Sequence, residues 1–257
     1  STINNLHGPI NFITRIDGKL YVRTSKDLYD FVPKNRLEGH SSFVNNNVNE
    51  SGDEILKFDD QLITTNNYTI KSTKNRVTKI LSPIYRSNGT IRSKLNPSIL
   101  FSSNSAVGLL AHKYQNGRWS QIKLLNKDTI RCGNLIEIAP GIIILETRKG
   151  LYKYEYNIEG QGNYTKLDAD KKFTTNGRLY TRVFNNQDYL FADSLNNFYK
   201  VDLLKNKVVY TGFSIDSFVN KSYWFYTYNK DSKNGWMVTQ RGIYKTKFDY
   251  KTGFTFT

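Results

Sequence analysis

The sequence predicts an all-β chain: a β-propeller of about six four-stranded antiparallel blades, either a ring of its own or part of a larger or tandem one. Three observations predict it. A Leu-Tyr-like pair returns every 40–47 residues along the 257-residue chain. Around each pair the same order of short apolar stretches returns. No long stretch shows helical periodicity, and aromatic and β-branched residues interleaved with Asn, Gly and Lys favour strands.

The pair reads Leu28-Tyr29, then a weaker Tyr68-Thr69, then Leu109-Leu110, Leu151-Tyr152, Phe198-Tyr199 and Ile243-Tyr244. Before each lies an apolar stretch: KLYVRTS (19–25), QLITTN (61–66), SILFSSN (98–104), IIILETR (142–148), YLFADS (189–194) and WMVTQR (236–241). Earlier still comes another: INFITRIDG (10–18), EILKFDD (54–60), GTIRSKL (89–95), NLIEIAPG (134–141), LYTRVFNN (179–186) and SYWFYTYN (222–229). After the pair comes a polar turn and usually a fourth stretch: RVTKILS (76–82), RWSQIKLL (118–125), YTKLDA (164–169), KVVYTGF (207–213) and a short FTFT (254–257). Stretches of 5–8 residues bounded by turn residues read as strands, here named A to D in each unit. Four strands in a unit of roughly 40–50 residues is the arithmetic of a propeller blade. The blades are expected near 8–45, 50–85, 88–128, 132–172, 176–214 and 216–257, all in one domain or a fragment of a longer one. The N-terminal STINNLH is expected as an outer strand closing the circle.

Tyr29, Tyr152, Trp119 and Trp236 fall at fixed repeat positions, so they are expected in the packing between blades. Leu151 and Tyr154 are read the same way. The longest apolar run, IAPGIIIL (138–145), is too short to span a bilayer. The single Cys132 leaves no internal disulfide. The net charge is +15, which raises the prior for an anionic partner. The cations read as spread along the chain on solvent faces of strands, which needs no partner.

Catalytic signatures are not found. His7, His40 and His112 form no metal-ligand spacing, and His112 is expected on a strand surface. Glu137, Glu146, Asp193 and Asp216 are scattered, and A strands carrying Arg or Tyr more often than Asp or Glu do not favour the paired carboxylates that glycoside chemistry needs. Asp17, Asp59 and Asp60 read as turn formers. No nucleotide fingerprint appears, and no cofactor is expected.

The hairpins ETRKGLYKYEYN (146–157) and VTQRGIYKTKFD (238–249) resemble the two-component regulator propeller repeat. SNSAVGLLAHKYQNGRW (103–119) is similar to its Asn-Gly-Trp variant, and RTSKDLYDF (23–31) and ADSLNNFYKVD (192–202) are poorer copies without the Gly. The resemblance implies a non-enzymatic sensor, the periplasmic part of a hybrid two-component system of the Bacteroidetes type, with oligosaccharides as common ligands. Members place such propellers ahead of an immunoglobulin-like domain, a membrane helix and a signalling module, none of which is read in these residues. This chain is expected to be the sensing or scaffolding part.

Geometry suggests a face. In a propeller the A strands line a central channel, and the B–C turns emerge on one side. Those turns carry Lys26, Arg148, Lys149 and Arg241, and the A strands carry Arg15, Arg92 and Arg182. A channel mouth lined with one sign of charge concentrates an anionic ligand, and Arg suits carboxylate or sulfate. Tyr226, with Phe12, Tyr180 and Tyr228, could stack on sugar rings. The expected partner is therefore an oligosaccharide or other anionic small ligand, with self-association through the propeller a further expectation. Nucleic acid is not expected, and a membrane only through segments outside this sequence. The competing readings are a propeller lyase or glycosidase and a protein–protein scaffold.

Overall fold

The computed structural model describes residues 10–16, 19–24, 28–32, 42–45, 54–59, 61–65, 69–74, 77–83, 87–104, 106–124, 130–169, 180–183, 189–193, 197–214, 223–229, 234–239, 242–249 and 253–256. These residues fold into six sheets, each built from strands consecutive in sequence. The first sheet takes β1 (Ile10–Ile16), β2 (Lys19–Thr24), β3 (Leu28–Val32) and β4 (Ser42–Asn45). The second takes β5 (Glu54–Phe58), β6 (Gln61–Thr65), β7 (Thr69–Lys74) and β8 (Val77–Pro83). The third takes β9 (Ser87–Arg92), β10 (Ile99–Asn104), β11 (Gly108–Gln115) and β12 (Arg118–Ile122). The fourth takes β13 (Cys132–Ala139), β14 (Ile142–Thr147), β15 (Gly150–Tyr156) and β16 (Gly162–Lys166). The fifth takes β17 (Asp168–Ala169), β18 (Tyr180–Val183), β19 (Tyr189–Ala192), β20 (Asn197–Asp202) and β21 (Lys207–Ser214). The sixth takes β22 (Tyr223–Asn229), β23 (Asn234–Thr239), β24 (Gly242–Asp249) and β25 (Gly253–Phe256).

The A, B and C strands expected in every unit are therefore all present. Two D strands differ from expectation. The first sheet has its own fourth strand, β4, paired with β3 from Tyr29↔Asn45 to Val32↔Ser42. The stretch YTKLDA divides at Leu167: β16 completes the fourth sheet, while Asp168 and Ala169 pair in parallel with Lys207 and Val208 of the fifth. Leu167 is 2% exposed, so its burial ends one edge and starts the next. STINNLH lies outside the described residues.

The chain divides into two compact units, residues 1–124 with 129–135, and residues 125–128 with 136–257. In the first unit, sheets two and three pack through Phe58, Ile63 and Leu100, flanked by Leu110, Tyr114 and Trp119. Phe58 lies 4.6 Å from the Trp119 ring and meets Tyr114 edge-on at 5.9 Å, a favourable aromatic geometry. The Trp119 indole donates to Gln61 Oε1 at 3.0 Å. In the second unit, sheets four and five pack through Ile144, Leu151, Leu167, Phe191, Tyr199 and Val208. Leu151 and Tyr199 occupy the repeated pair, so that pair builds the packing between sheets. Tyr29 and Tyr154 are buried as expected, while Tyr152 and Trp119 are half-buried. The side chain of Trp236 lies outside the described residues.

Strand position within a sheet sets burial. β10 is buried at all six positions, because its small and apolar residues are covered on both faces. β12 has only exposed and half-buried positions, as befits an edge strand. The link from β11 to β12 is an Asn-Gly hairpin, with Asn116 at φ 52° and Gly117 at φ 75°. Two positive φ values match the twist of the strands that such a turn joins.

Candidate functional site

In the third, fourth and fifth sheets the B–C turn is closed by a polar side chain at the end of the B strand. In the fourth sheet, Thr147 Oγ1 accepts from Lys149 N at 3.0 Å and donates to Gly150 O at 2.7 Å. Thr147 and Gly150 form the last strand pair, so Arg148 and Lys149 are the whole turn. Both are exposed. Gly150 sits at φ +109°, a conformation that L side chains rarely adopt. The Thr-x-x-Gly of the repeat is thus a device for projecting two side chains.

At the matching place in the third sheet, Asn104 Oδ1 accepts from Ala106 N at 2.7 Å and Val107 N at 2.9 Å. In the fifth, Asp193 Oδ1 accepts from Asn197 N at 2.9 Å. Its Oδ2 accepts from Asn197 Nδ2 at 2.9 Å and Tyr199 Oη at 3.1 Å. Asp193 is 4% exposed and serves as a turn lock. Glu137 on β13 is likewise a tie: Tyr156 Oη and Gly141 N both donate to its Oε1. Two of the acids that the sequence left open are therefore hydrogen-bonded supports. Asp216 lies outside the described residues, and Glu146 is buried.

The expected cationic ring divides between two ends of the hairpins. Arg92 pairs with Leu100 at the A–B end of its sheet, away from the B–C turn where Asn104 meets Gly108. Its Nη2 lies 2.9 Å from Asp59 Oδ1, its Nε donates to Pro97 O at 2.7 Å, and its guanidinium sits 4.3 Å from the Phe58 ring centre. Arg92 is a clamp between the second and third sheets. Asp59, at φ 53° in the turn after β5, is its partner as well as a turn former. Arg15 and Arg182 pair with Leu20 and Leu190, also at the A–B ends of their own hairpins. A-strand arginines placed late in the strand cannot share an end with the B–C turns, which corrects the single-mouth expectation. Tyr226 pairs with Met237 in the middle of β22. Lys26 and Arg241 lie outside the described residues, as do the side chains of Arg15, Arg182 and Tyr226. Arg148 and Lys149 remain as exposed cations on a described B–C turn.

His112 corrects another expectation. It is 1% exposed on β11, and burial pushes its pKa down to about 4. The sequence places it on a strand surface, but it faces the same side as Leu100, its buried cross-strand partner. Cys132 is buried, and burial pushes its thiol up to about 12, which removes the thiolate that would react. Among the described residues no group of three or more His, Cys, Asp or Glu could hold a metal ion. Among them, too, no helix is long and apolar enough to cross a membrane.

No family model matches the sequence, and no curated protein matches it. Solved structures do. The extracellular domain assigned to a hybrid two-component system of B. thetaiotaomicron superposes with a TM-score of 0.63 at 12% identity, over 98% of this chain and 35% of that one. A virginiamycin B lyase from Staphylococcus aureus, solved as a catalytically inactive histidine-to-alanine form with quinupristin, gives 0.67 at 12% identity, over 99% and 85%. A protein described as a 6-phosphogluconolactonase from Bacteroides uniformis gives 0.65 at 12% identity, over 94% and 81%. The chain spans about a third of the length of the Bacteroides extracellular domain. Likeness at this identity speaks for architecture, and with six sheets of consecutive strands, antiparallel but for the short β17, the architecture is that of a β-propeller.

Proposed function

We propose that this chain is a non-enzymatic, ligand-binding propeller of an extracytoplasmic sensor, part of a longer signalling protein, and that it takes an anionic ligand of the carbohydrate class. The observation that carries the reading is the likeness to an extracellular domain of a hybrid two-component system, in which this chain corresponds to about one third. The B–C turns would supply the recognition. Arg148 and Lys149 are held forward by Thr147, and Lys26 and Arg241 occupy the corresponding turns in sequence. Guanidinium groups suit planar carboxylate or sulfate, and the ammonium adds a point charge. Arg92 is left out of this set because Asp59 engages it.

The second reading, a propeller enzyme, is favoured by the lyase, which this chain matches over 85% of the lyase's length. That lyase is inactive with a histidine replaced. Here His112 is closed off from solvent and held neutral by burial, and Glu137 and Asp193 are committed to structural hydrogen bonds. A general acid or base must reach the proton it moves. None of these three does.

Calorimetric titration of the chain with sulfated and uronate-containing oligosaccharides tests the proposal. Charge reversal of Arg148 and Arg241 together (Arg148→Glu, Arg241→Glu) is expected to weaken binding at least ~10-fold, the scale of losing charge-assisted bonds. Unchanged binding by the double variant would remove the B–C turns from the site.

A further inference from the structure

The fourth sheet treats the tyrosine of the repeated pair differently from the first and fifth. Tyr29 and Tyr199 are each 1% exposed. The Tyr199 hydroxyl donates to Asp193 Oδ2 at 3.1 Å, and its ring lies 5.6 Å from that of Tyr210, its cross-strand partner. Tyr152 is half-buried. Its partner on β16 is Lys166, and the place of Asp193 is held by Thr147, whose hydroxyl donates to Gly150 O. Among the described residues Tyr152 makes neither tie. Tyr244 of the sixth sheet is half-buried as well, but it has a contact of its own.

Three exposed cations lie close to Tyr152. Arg148 and Lys149 form the turn that Gly150 closes, and Gly150 is two residues from Tyr152 along β15, roughly 7 Å. Lys166 is exposed on the next strand, about 5 Å away. Leu145, Tyr152 and Lys166 make one row across the sheet, passing from buried to half-buried to exposed. Ile144 and Leu151 pack against the fifth sheet, so this row looks to the other side. The strands β14, β15 and β16 put no acid on that side: Glu146 and Glu155 alternate to the face of Leu151. Glu137 on β13 is held by Tyr156 and Gly141. Tyr164, the other half-buried ring on this face, stands 4.8 Å from the Tyr154 ring, which leaves Tyr152 as the ring not taken up.

We infer that Tyr152 is the residue on which a sugar ring of the ligand stacks, with Arg148 and Lys149 beyond one end of it and Lys166 beside it receiving the anionic groups. The inference rests on the proposed function and names what makes an anion site a carbohydrate site. A sugar ring has apolar C–H faces and a polar rim, and a tyrosine offers an apolar body with a wet hydroxyl. Ligand sites pair such rings with a few placed charges. Cations alone hold a free sulfate as readily as a sulfated sugar. A tyrosine at the margin of a sheet keeps its hydroxyl wet without any ligand. That role does not call for a lysine opposite it, where the fifth sheet has Tyr210.

Two probes separate the ring from the charges: inorganic sulfate and a sulfated oligosaccharide, each titrated calorimetrically into the chain. Tyr152→Leu keeps an apolar residue and copies the third sheet, where Leu110 holds this place. It is expected to weaken the oligosaccharide at least ~10-fold, the scale of losing a stacked ring, and to leave sulfate within ~2-fold. Tyr152→Phe should bind the oligosaccharide within ~2-fold of the unmodified chain, since the ring remains. Lys166→Gln should weaken the oligosaccharide ~3-fold or more, and Arg148→Glu should weaken both probes. Equal losses of sulfate and oligosaccharide in Tyr152→Leu, or Tyr152→Phe binding no better than Tyr152→Leu, overturn the inference. Oligosaccharide binding that survives Tyr152→Leu and Lys166→Gln but is lost on reversing Arg148 and Arg241 also overturns it, while leaving the proposed function standing. No binding of any oligosaccharide by the unmodified chain overturns both.

Discussion

On the third sheet His112 is 1% exposed, and among the described residues neither ring nitrogen has a hydrogen-bond partner. On the fourth, Glu137 is 3% exposed and accepts from both Tyr156 and the backbone of Gly141. The two sheets share one strand plan, yet one buries an imidazole and the other ties down a carboxyl group. An imidazole can enter an apolar layer by giving up its proton. A buried carboxyl group needs donors, and the phenol two strands away supplies one. Charge follows the same divide. The third sheet has no acid on any strand, while the fourth carries Glu137, Glu146 and Glu155. One repeat has thus been filled with two kinds of surface and two kinds of interior.

The comparison can be broken or sharpened in four ways. The largest effect is expected at the aromatic layer of the second and third sheets. Phe58→Ala should cost about 3–5 kcal/mol in denaturant unfolding, since Phe58 is fully buried against Trp119 and Tyr114. Leu204→Ala, at a residue 97% exposed, should cost almost nothing.

The next is the pH response of His112, whose folded pKa of about 4 lies below its ordinary 6.5. The unfolded chain takes up the proton first, so stability is complete above 6.5 and is lost as pH falls toward 4. The loss should reach about 3 kcal/mol. Melting temperature against pH should show it in the unmodified protein, and His112→Leu should flatten that part of the curve.

Third, Tyr156→Phe leaves Glu137 with a donor missing and should cost about 1–3 kcal/mol. A cost at neutral pH for His112→Leu equal to that of Tyr156→Phe would break the comparison. Smallest is Gly150→Ala. At φ +109° with nothing within 4 Å of the added Cβ, only backbone strain of about 1 kcal/mol is expected.

The strands were legible because each is a short apolar run between turn residues, and a period of two survives in a half-buried sheet. β4 was hidden because PKNRLEGHS (33–41) separates it from its partner strand, far more than a hairpin turn. β17 was hidden because two residues leave one sheet for the next at a single buried leucine. The turn cations Arg148 and Lys149 were legible from Thr-x-x-Gly. The role of Arg92 was not, because its partner Asp59 is 33 residues away on another sheet. Burial of His112 escaped for a similar reason: polar neighbours in sequence say nothing about which sheet covers the strand.

The central claim is that this propeller holds an anionic carbohydrate and leaves it intact. Its most direct test is native mass spectrometry of the chain incubated with a sulfated or uronate oligosaccharide. The account predicts a stoichiometric complex from which the oligosaccharide is recovered at its original mass. Shortened or unsaturated products that disappear on heat denaturation of the protein would contradict it and establish the enzyme reading.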